Sequence, residues 1–370
     1  MAGSLLEVTA KEGARLVALR QLEQAAAGAS RLRDPEDAEA LHDFRVALRR
    51  LRSSLRAYDA LLAESVGERH RRRLAKLASR TGPGRDAEVL LAWIAELAAG
   101  APEPHGAGLR WLEERLARQR DEAYAHLREE LAARFERMEG KLRERLASYT
   151  RTVRVGEPAH EPRFGAFTAE VMARELSALG ELLGSIEGLD HQPAIHRARI
   201  AGKRLRYLVE PFRGEAEGAR EIVRALKRLQ DLLGDLNDLH NLARVAGEAI
   251  EEAALVRARQ LRDAAILGED AATVERVLST DERPGLLALL QAAQSARTEL
   301  FARLEAEWRG DGPERAELEQ RVRELAARLG TDPSAADLEI ERKFLLSALP
   351  PACEGARPWR STRATSPASG

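Results

Sequence analysis

The sequence predicts an all-α protein, and two observations support this prediction. The 370-residue chain is rich in Ala, Leu, Arg and Glu and has only 4% aromatic residues, a composition typical of helices. Helical periodicity runs from about residue 8 to about residue 328, and strand-like alternation is confined to the C-terminal tail. We therefore expect antiparallel helical bundles joined by short connections.

Clusters of Gly and Pro mark the positions where helices are expected to end. In the stretch RLRDPEDAE, Asp34 is expected to cap a helix whose first residue is Pro35. Further breaks lie at 80–86, 99–108 and 154–165, and the last of these has the composition of a domain linker.

Three pairs of similar segments occur in the same order along the chain, which predicts an internal duplication. The aligned pairs are 41–52 with 195–206, 77–90 with 229–242, and 120–131 with 297–308. We predict two copies of a unit of roughly 145 residues, at about 8–150 and 165–310, each with about five helices. One helix in each copy is expected to end at a glycine turn, before Asp86 in the first copy and before Asp238 in the second.

The helix predicted at 41–58 combines an apolar face with a basic face. At about 100° per residue, each face covers an arc of roughly 80°. The apolar arc contains Leu41, Phe44, Leu48, Leu51 and Leu55. The basic arc contains His42, Arg45, Arg49, Arg52 and Arg56, with Arg50 beside it. The second copy repeats the basic arc with His196, Arg199, Lys203 and Arg206, with Arg204 beside it.

The helix that follows each of these adds a further basic face. In the first copy this face contains Arg69, Arg72, Arg73, Lys76 and Arg80, and in the second Arg220, Arg224, Lys227 and Arg228. Residues 41–85 contain 12 basic and 4 acidic residues, a net charge of +8. Residues 195–228 contain 10 and 4, a net charge of +6, although the whole chain carries −1. Positive charge is therefore concentrated in two segments.

The concentration of like charges predicts a polyanionic ligand. A solvated face is the simpler alternative, but such faces usually mix signs at i and i+4, which stabilises a helix by about 0.2–0.5 kcal/mol per pair. Only six of the 59 basic residues are lysines, and arginine suits phosphate oxygens because it forms forked hydrogen bonds. Nucleic-acid binders need base-reading or stacking side chains, and this chain is poor in aromatic residues. The sequence therefore favours a ligand that has charge and no bases, either inorganic polyphosphate or a highly phosphorylated small molecule, bound with steep salt dependence.

The doubled pattern H-x-x-R-[VI]-A-x-[RK]-R-L-R, followed in each copy by a basic helix and Gly-x-x-x-Asp, resembles the CHAD domain, the conserved-histidine α-helical domain. The resemblance covers about residues 8–310. It implies two helical bundles related by a pseudo-twofold axis around a basic cavity, binding of inorganic polyphosphate, and association with polyphosphate granules. The implied walls are His42, Arg45, Arg49, Arg50 and Arg52 on one side, and His196, Arg199, Lys203, Arg204 and Arg206 on the other. The second copy departs from the first in having Asn237 in place of Arg85.

Other residues do not predict catalysis or a resident metal. Cys353 is the only cysteine, which excludes a disulfide framework and a cysteine metal cluster. Neither His42 nor His196 has a second His or Cys at helical spacing. We therefore predict no enzyme activity, cofactor or metal, and expect Asp86 and Asp238 to cap helices, with orientation of a nearby arginine as the alternative. The lack of a leader and of a long apolar span predicts a cytoplasmic protein that does not enter the membrane.

The C-terminal stretch 337–350 has a period of two, with Glu339, Glu341 and Lys343 on one face of a predicted strand. This E-x-E-x-K pattern resembles the opening strand of the CYTH, or triphosphate tunnel, family. Only 27 residues follow Lys343, so we predict a truncated fusion without hydrolase activity and a disordered tail, preceded by a helix and linker at 311–336. A phosphohydrolase using this strand, and a helical scaffold for nucleic acid or acidic partners, are the alternative functions.

Overall fold

The computed structural model describes residues 4–34, 36–37, 39–99, 106–125, 127–148, 162–268, 270–272, 274–275 and 281–331. These residues are mainly helical and form no β-strand, apart from one antiparallel bridge between Thr9 and Arg163. The all-α fold class predicted from the sequence is therefore confirmed. The E-x-E-x-K segment at 337–350 and the tail after it lie outside the described residues.

The helices are numbered in chain order. Those before residue 148 are α1 (Ala10–Arg31), α2 (Ala40–Ala57), α3 (Asp59–Leu62), α4 (Glu68–Ser79), α5 (Gly82–Ala98), α6 (Gly106–Tyr124) and α7 (Leu127–Ala147). Those after residue 162 are α8 (Phe164–Gly184), α9 (Gln192–Val209), α10 (Ala219–Leu267), α11 (Arg283–Trp308) and α12 (Pro313–Gly330), with a 3₁₀ turn at Glu210–Phe212.

The start of α2 differs from the prediction. The helix begins at Ala40, with Glu39 at its N-cap position, so the predicted start at Pro35 is wrong. Asp34 instead accepts a hydrogen bond from the Glu36 N–H at 3.0 Å, which stabilises the turn before the helix.

The predicted glycine turn forms in the first copy and is absent from the second. α4 ends at Ser79 and α5 begins at Gly82, whereas Gly234 lies in the middle of the 49-residue helix α10. The difference follows from sequence, because residues 80–86 contain proline beside two glycines and residues 229–242 contain no proline. Asp86 and Asp238 therefore lie inside helices, and the prediction that they act as caps is wrong.

A large hydrophobic core joins helices from both halves of the chain. The Tyr58 ring after α2 lies 5.1 Å from the Phe164 ring of α8, which stacks on Phe212 at 5.7 Å. The Tyr58 hydroxyl is 3.3 Å from Thr168 Oγ1 of α8. The predicted apolar face of α2 is confirmed, since its buried residues include Leu41, Phe44, Leu48, Leu51 and Leu55. A second, smaller core forms between α5, α6, α10 and α11.

Close helix packing determines which way the basic face of α2 points. α1 crosses α2 at Gly28, where an added Cβ would lie 2.8 Å from the Phe44 Cα. On the same apolar side, the Phe44 ring packs edge-on against Phe135 of α7 at 5.3 Å. The apolar face of α2 is therefore turned inward, and the helix also contacts α4 and α9.

The last described helix, α12, belongs to the same compact unit as the rest. Leu318, Val322 and Leu325 are buried, and the helix packs against α8. The helix expected within 311–336 is thus present, and the compact unit extends beyond residue 310 to Thr331.

Candidate anion-binding pocket

The basic faces of α2 and α9 meet α4 around a pocket of about 580 Å³, here called the α2–α4–α9 pocket. Basic residues make up half of its described lining. They are Arg49, Arg52 and Arg56 from α2, Arg71 and Arg72 from α4, and Lys203 and Arg204 from α9. Glu68 is the one acidic residue among the described lining residues, and it pairs with Arg72 at 3.4 Å. The pocket therefore carries a large excess of positive charge.

Tyr207 of α9 connects the two basic faces. Arg49 Nε of α2 donates a hydrogen bond to the Tyr207 hydroxyl oxygen at 2.7 Å, and Arg206 Nη2 donates to the same oxygen at 3.3 Å. The guanidinium carbon of Arg206 also lies 4.9 Å from the centroid of the buried Tyr207 ring. Tyr207 thus holds Arg49 at the edge of the pocket.

Arg50 and Arg206 form ion pairs and do not line the pocket. Arg50 Nε of α2 is 2.9 Å from Glu210 Oε2, and Arg206 Nη1 is 3.6 Å from Glu210 Oε1. Because the Glu210 side chain is only 11% exposed, its ion pairs are screened by salt less than pairs on the open surface. Arg50, which was predicted to contact the ligand, instead joins α2 to the end of α9, and Arg206 pairs locally at that end.

Lys203 occupies an electrostatically unfavourable position. Burial and, after it, the charges of Arg199 and Arg49 together lower the pKa of Lys203 to about 7. A bound anion would stabilise the protonated amine, so the charge of Lys203 is coupled to occupancy of the pocket.

Arg45 and Arg199 lie one turn before Arg49 and Lys203, respectively. Arg45 donates a hydrogen bond to the Thr81 carbonyl oxygen at the α4–α5 junction. Arg199 Nε is buried and has no hydrogen-bond partner within the described residues. Buried polar groups usually have a hydrogen-bond partner, so Arg199 Nε is a partly desolvated donor. It lies beside the pocket, close enough for its charge to act on Lys203.

An acidic patch, defined as Asp86, Asp235 and Asp238, lies near these arginines. Loss of water raises the pKa of Asp86, while the charge of Arg45 acts in the opposite direction. Burial, followed by repulsion from Asp238, raises the pKa of Asp235 to about 6. The charges of Arg45 and Arg199 act on Asp86, but no ion pair joins them in the described structure, so the alternative role of orienting an arginine stays a prediction.

The structure does not bring the two histidines into the pocket. His42 and His196 lie near the starts of α2 and α9, are exposed, and are absent from the pocket lining. The described residues also contain no group of three or more His, Cys, Asp or Glu side chains that could hold a metal ion.

The predicted basic face of α4 divides between two sides of the helix. Arg72 lines the α2–α4–α9 pocket, whereas Arg73, Lys76 and Arg80 line a separate cleft against α7. Arg69 is exposed and has the helical angle of the second group. The helix contributes basic residues to both clefts because these residues span more than one arc of its surface.

The predicted basic residues of α10 also lie apart from the pocket. Arg220 Nε donates to the Arg213 carbonyl oxygen at 2.9 Å, Arg224 pairs with Glu221, and Lys227 is exposed. Arg228 pairs with Glu314 of α12. The start of α10 packs beside α12, whose carboxylates neutralise part of this face.

Two pocket residues were missed from the sequence, namely Arg71 and Tyr207. Arg71 belongs to the RHRRR run at 69–73 but lies off the face on which the prediction rested, and it pairs with Asp59. Tyr207 directly follows the repeated motif, at the position that Ser53 occupies in the first copy. An amphipathic tyrosine beside a doubled basic motif is the signal that could have identified it.

The fold and the pocket together define an all-helical protein with a cationic cavity between paired basic helices. The chain belongs to the CHAD domain family, whose model matches residues 16–247. It is similar to the crystal structure of the CHAD domain from the plant Ricinus communis, with 24% identity and a TM-score of 0.53 over 81% of this chain and 92% of that chain. It is also similar to PptA from Streptomyces chartreusis, with 17% identity and a TM-score of 0.49 over 80% and 99% of the respective chains.

No curated protein matches the chain. Among the described helices, none has the length and apolar character required to cross a membrane.

Proposed function

We propose that the chain binds inorganic polyphosphate noncovalently in the α2–α4–α9 pocket. The observation that carries the proposal is the convergence of basic residues from three helices on one cavity. The CHAD family is associated with polyphosphate, and arginine side chains suit its oxygens because they form forked, charge-assisted hydrogen bonds. A chain of linked phosphates would offer successive negative charges to Arg49, Arg52 and Arg56 along α2.

Groups left incompletely satisfied in the pocket also support the proposal. Arg52, Arg56 and Arg204 have no carboxylate within ion-pair distance in the described structure, and Lys203 has a pKa lowered to about 7. Phosphate oxygens would satisfy these donors and offset the repulsion between them.

The aromatic content of the pocket favours a ligand without bases. Tyr207 is the aromatic residue of the described lining, its ring is buried, and its hydroxyl is engaged by Arg49. A single-strand binder instead presents exposed aromatic faces on which bases stack. We therefore infer that inorganic polyphosphate fits the pocket better than nucleic acid does.

The proposed binding includes no chemical step. Six of the fourteen lining residues are permanently charged arginines, which bind phosphate but cannot serve as general bases. We expect no release of inorganic phosphate from triphosphate in the presence of Mg²⁺ or Mn²⁺. Turnover that disappears in Glu341→Ala would instead establish the phosphohydrolase alternative.

Calorimetric titration with long-chain polyphosphate at two salt concentrations tests the binding site. We expect affinity to fall steeply with salt and to fall at least about tenfold in Arg52→Gln/Arg56→Gln, since counterion release and direct contacts are both lost. The matched control is Arg118→Gln/Arg303→Gln, which removes two exposed arginines from α6 and α11. Equal affinity of the pocket variant and the control, or displacement by single-stranded DNA at lower charge concentration than polyphosphate, would contradict the proposal.

Two broader expectations stay predictions. Polyphosphate binding would carry the protein to polyphosphate granules, as the family resemblance implies. The segments 8–150 and 165–310 remain a predicted duplication; α2 and α9, which carry the repeated motif, do contact each other.

A further inference from the structure

A second strongly basic cleft lies between α4 and α7, here called the α4–α7 groove. It has a volume of about 400 Å³ and is lined by Arg73, Lys76 and Arg80 of α4 and by Arg134 and Arg137 of α7. Leu77 and Met138 form its apolar floor. At about 100° per residue, the α4 residues of this groove point roughly away from those of the α2–α4–α9 pocket.

The basic side of α7 is itself a helical stripe. Arg134, Arg137, Lys141 and Arg145 are spaced by three, four and four residues, which places them on one face with Met138. The two helices run in opposite directions, because Arg80 near the end of α4 pairs with Glu130 near the start of α7. At the other end, His70 lies close enough to Arg145 and Lys141 for their charges to act on it.

Most of these cations have no acidic partner. Arg80 and Arg134 share Glu130, whereas Arg73, Lys76 and Arg137 form no ion pair within the described part of the chain. On another face of the same helix, α7 pairs Arg143 with Glu139 at 2.7 Å. Helix α7 therefore does contain carboxylates, but they lie on a different face from the basic stripe and leave most of the stripe unpaired.

The groove has the shape expected for an extended anion. From Arg73 to Arg80 the α4 side spans 7 residues, which corresponds to about 10 Å at 1.5 Å per residue. Its lining contains no aromatic residue among those described, so stacked bases have no platform there. Both sides carry arginine, which favours a ligand with phosphate oxygens along its whole length.

We propose that the α4–α7 groove is a second polyphosphate-binding site, so that α4 presents one anion site on each of two faces and a long chain can engage both. This inference rests on the proposed function for the identity of the ligand. Two linked sites raise the effective concentration of the second binding event, so long chains are expected to bind more tightly than two independent short ones.

Titration with tripolyphosphate counts the sites directly. We expect two equivalents for the full chain, one for the groove variant Arg73→Gln/Arg137→Gln, and one for the pocket variant Arg52→Gln/Arg56→Gln. The control Arg118→Gln/Arg303→Gln, which removes the same charge elsewhere, is expected to retain two. Circular dichroism and thermal melting establish that each variant is folded.

Long-chain polyphosphate supplies an independent measurement. Each lost phosphate contact lowers the slope of log K against log salt concentration by about one, so the groove variant is expected to lose about two units of slope relative to the control. Retention of two equivalents and of the full slope in the groove variant would overturn the second site.

The two proposals fail in different ways. Loss of binding in the groove variant together with unchanged binding in the pocket variant would reject the α2–α4–α9 pocket and support the groove. If the protein binds single-stranded DNA more tightly than polyphosphate, and the groove variant loses this DNA binding, polyphosphate is not the ligand of the groove.

Discussion

Arg49 of α2 donates a hydrogen bond to the hydroxyl oxygen of Tyr207 on α9 at 2.7 Å, and through this contact the two repeated basic helices are joined at the pocket. The bond orients one cation of the first copy with a residue that directly follows the motif of the second. It therefore links the stability of the helix pair to the geometry of the pocket.

Removal of the Tyr207 hydroxyl is expected to weaken both folding and binding. Tyr207→Phe keeps the buried ring but leaves Arg49 without its acceptor, so we expect a loss of about 1 kcal/mol in the free energy of unfolding. Polyphosphate affinity is expected to fall roughly two- to fivefold, which corresponds to about 0.5–1 kcal/mol. A double-mutant cycle with Arg49→Gln checks the contact, because strictly additive effects of the two substitutions would show that it is not coupled.

Lys203 is expected to make the free protein more stable as pH rises from about 7 to about 10.5. In this window the unfolded chain still holds the proton that the folded chain has released, because the folded pKa is lowered from 10.5 to about 7. The slope contributed by one group is at most about 1.4 kcal/mol per pH unit. Urea melts at pH 6, 8 and 10 should show this rise in the wild type relative to Lys203→Met. The same rise in both proteins would refute the assignment, and Lys227→Met serves as the exposed control.

Polyphosphate binding is expected to take up a proton above pH 7. The anion favours the charged form of Lys203, which is mostly neutral in the free protein at pH 8. Calorimetry at pH 8 in buffers of different ionisation enthalpy measures this uptake. In Lys203→Arg, which keeps a permanent charge, the protein's contribution should disappear; an unchanged uptake would place its source in another group.

Asp235 is expected to lower the stability of the folded protein above about pH 6. Burial, followed by repulsion from Asp238, raises its pKa from 3.8 to about 6, so the folded chain binds more protons than the unfolded chain between these values and stability falls as pH rises. Asp235→Asn should therefore be more stable than the wild type at pH 7.5 and nearly equal to it at pH 4. Glu251→Gln, an exposed substitution on the same helix, controls for net charge, and an advantage that is independent of pH would argue against this origin.

The crossing of α1 and α2 is expected to tolerate no side chain at Gly28. An added Cβ would lie 2.8 Å from the Phe44 Cα, so Gly28→Ala must separate the helices, at a cost of about 1–3 kcal/mol. In Gly140→Ala on α7, the new Cβ meets no atom within 4 Å, and the same substitution should stabilise the helix by about 0.5–1 kcal/mol. Thermal melts of the two variants should shift in opposite directions, and a neutral Gly28→Ala would mean that the helices are less tightly packed.

The two faces of α2 could be predicted because both follow from the spacing of residues along the helix, although the predicted start of the helix was wrong. Leu48 and Leu51 are buried as expected, and Arg52 and Arg56 lie in the pocket. Residues whose partners come from distant segments were predicted less well. Arg50 turns to Glu210, a residue that lies 160 positions later in the chain, and no local pattern identifies that pair.

The sequence by itself determined the helical class, the apolar and basic faces of α2, and the doubled motif that α9 shares, since each depends on the spacing of side chains along one helix. Only the tertiary structure decided which basic residues meet. It divided the α4 residues Arg72 and Arg73 between two clefts, and it continued α10 through Gly234. The physical reason is that electrostatic repulsion and desolvation depend on distance in space, and those distances arise when helices far apart in sequence pack on a shared core.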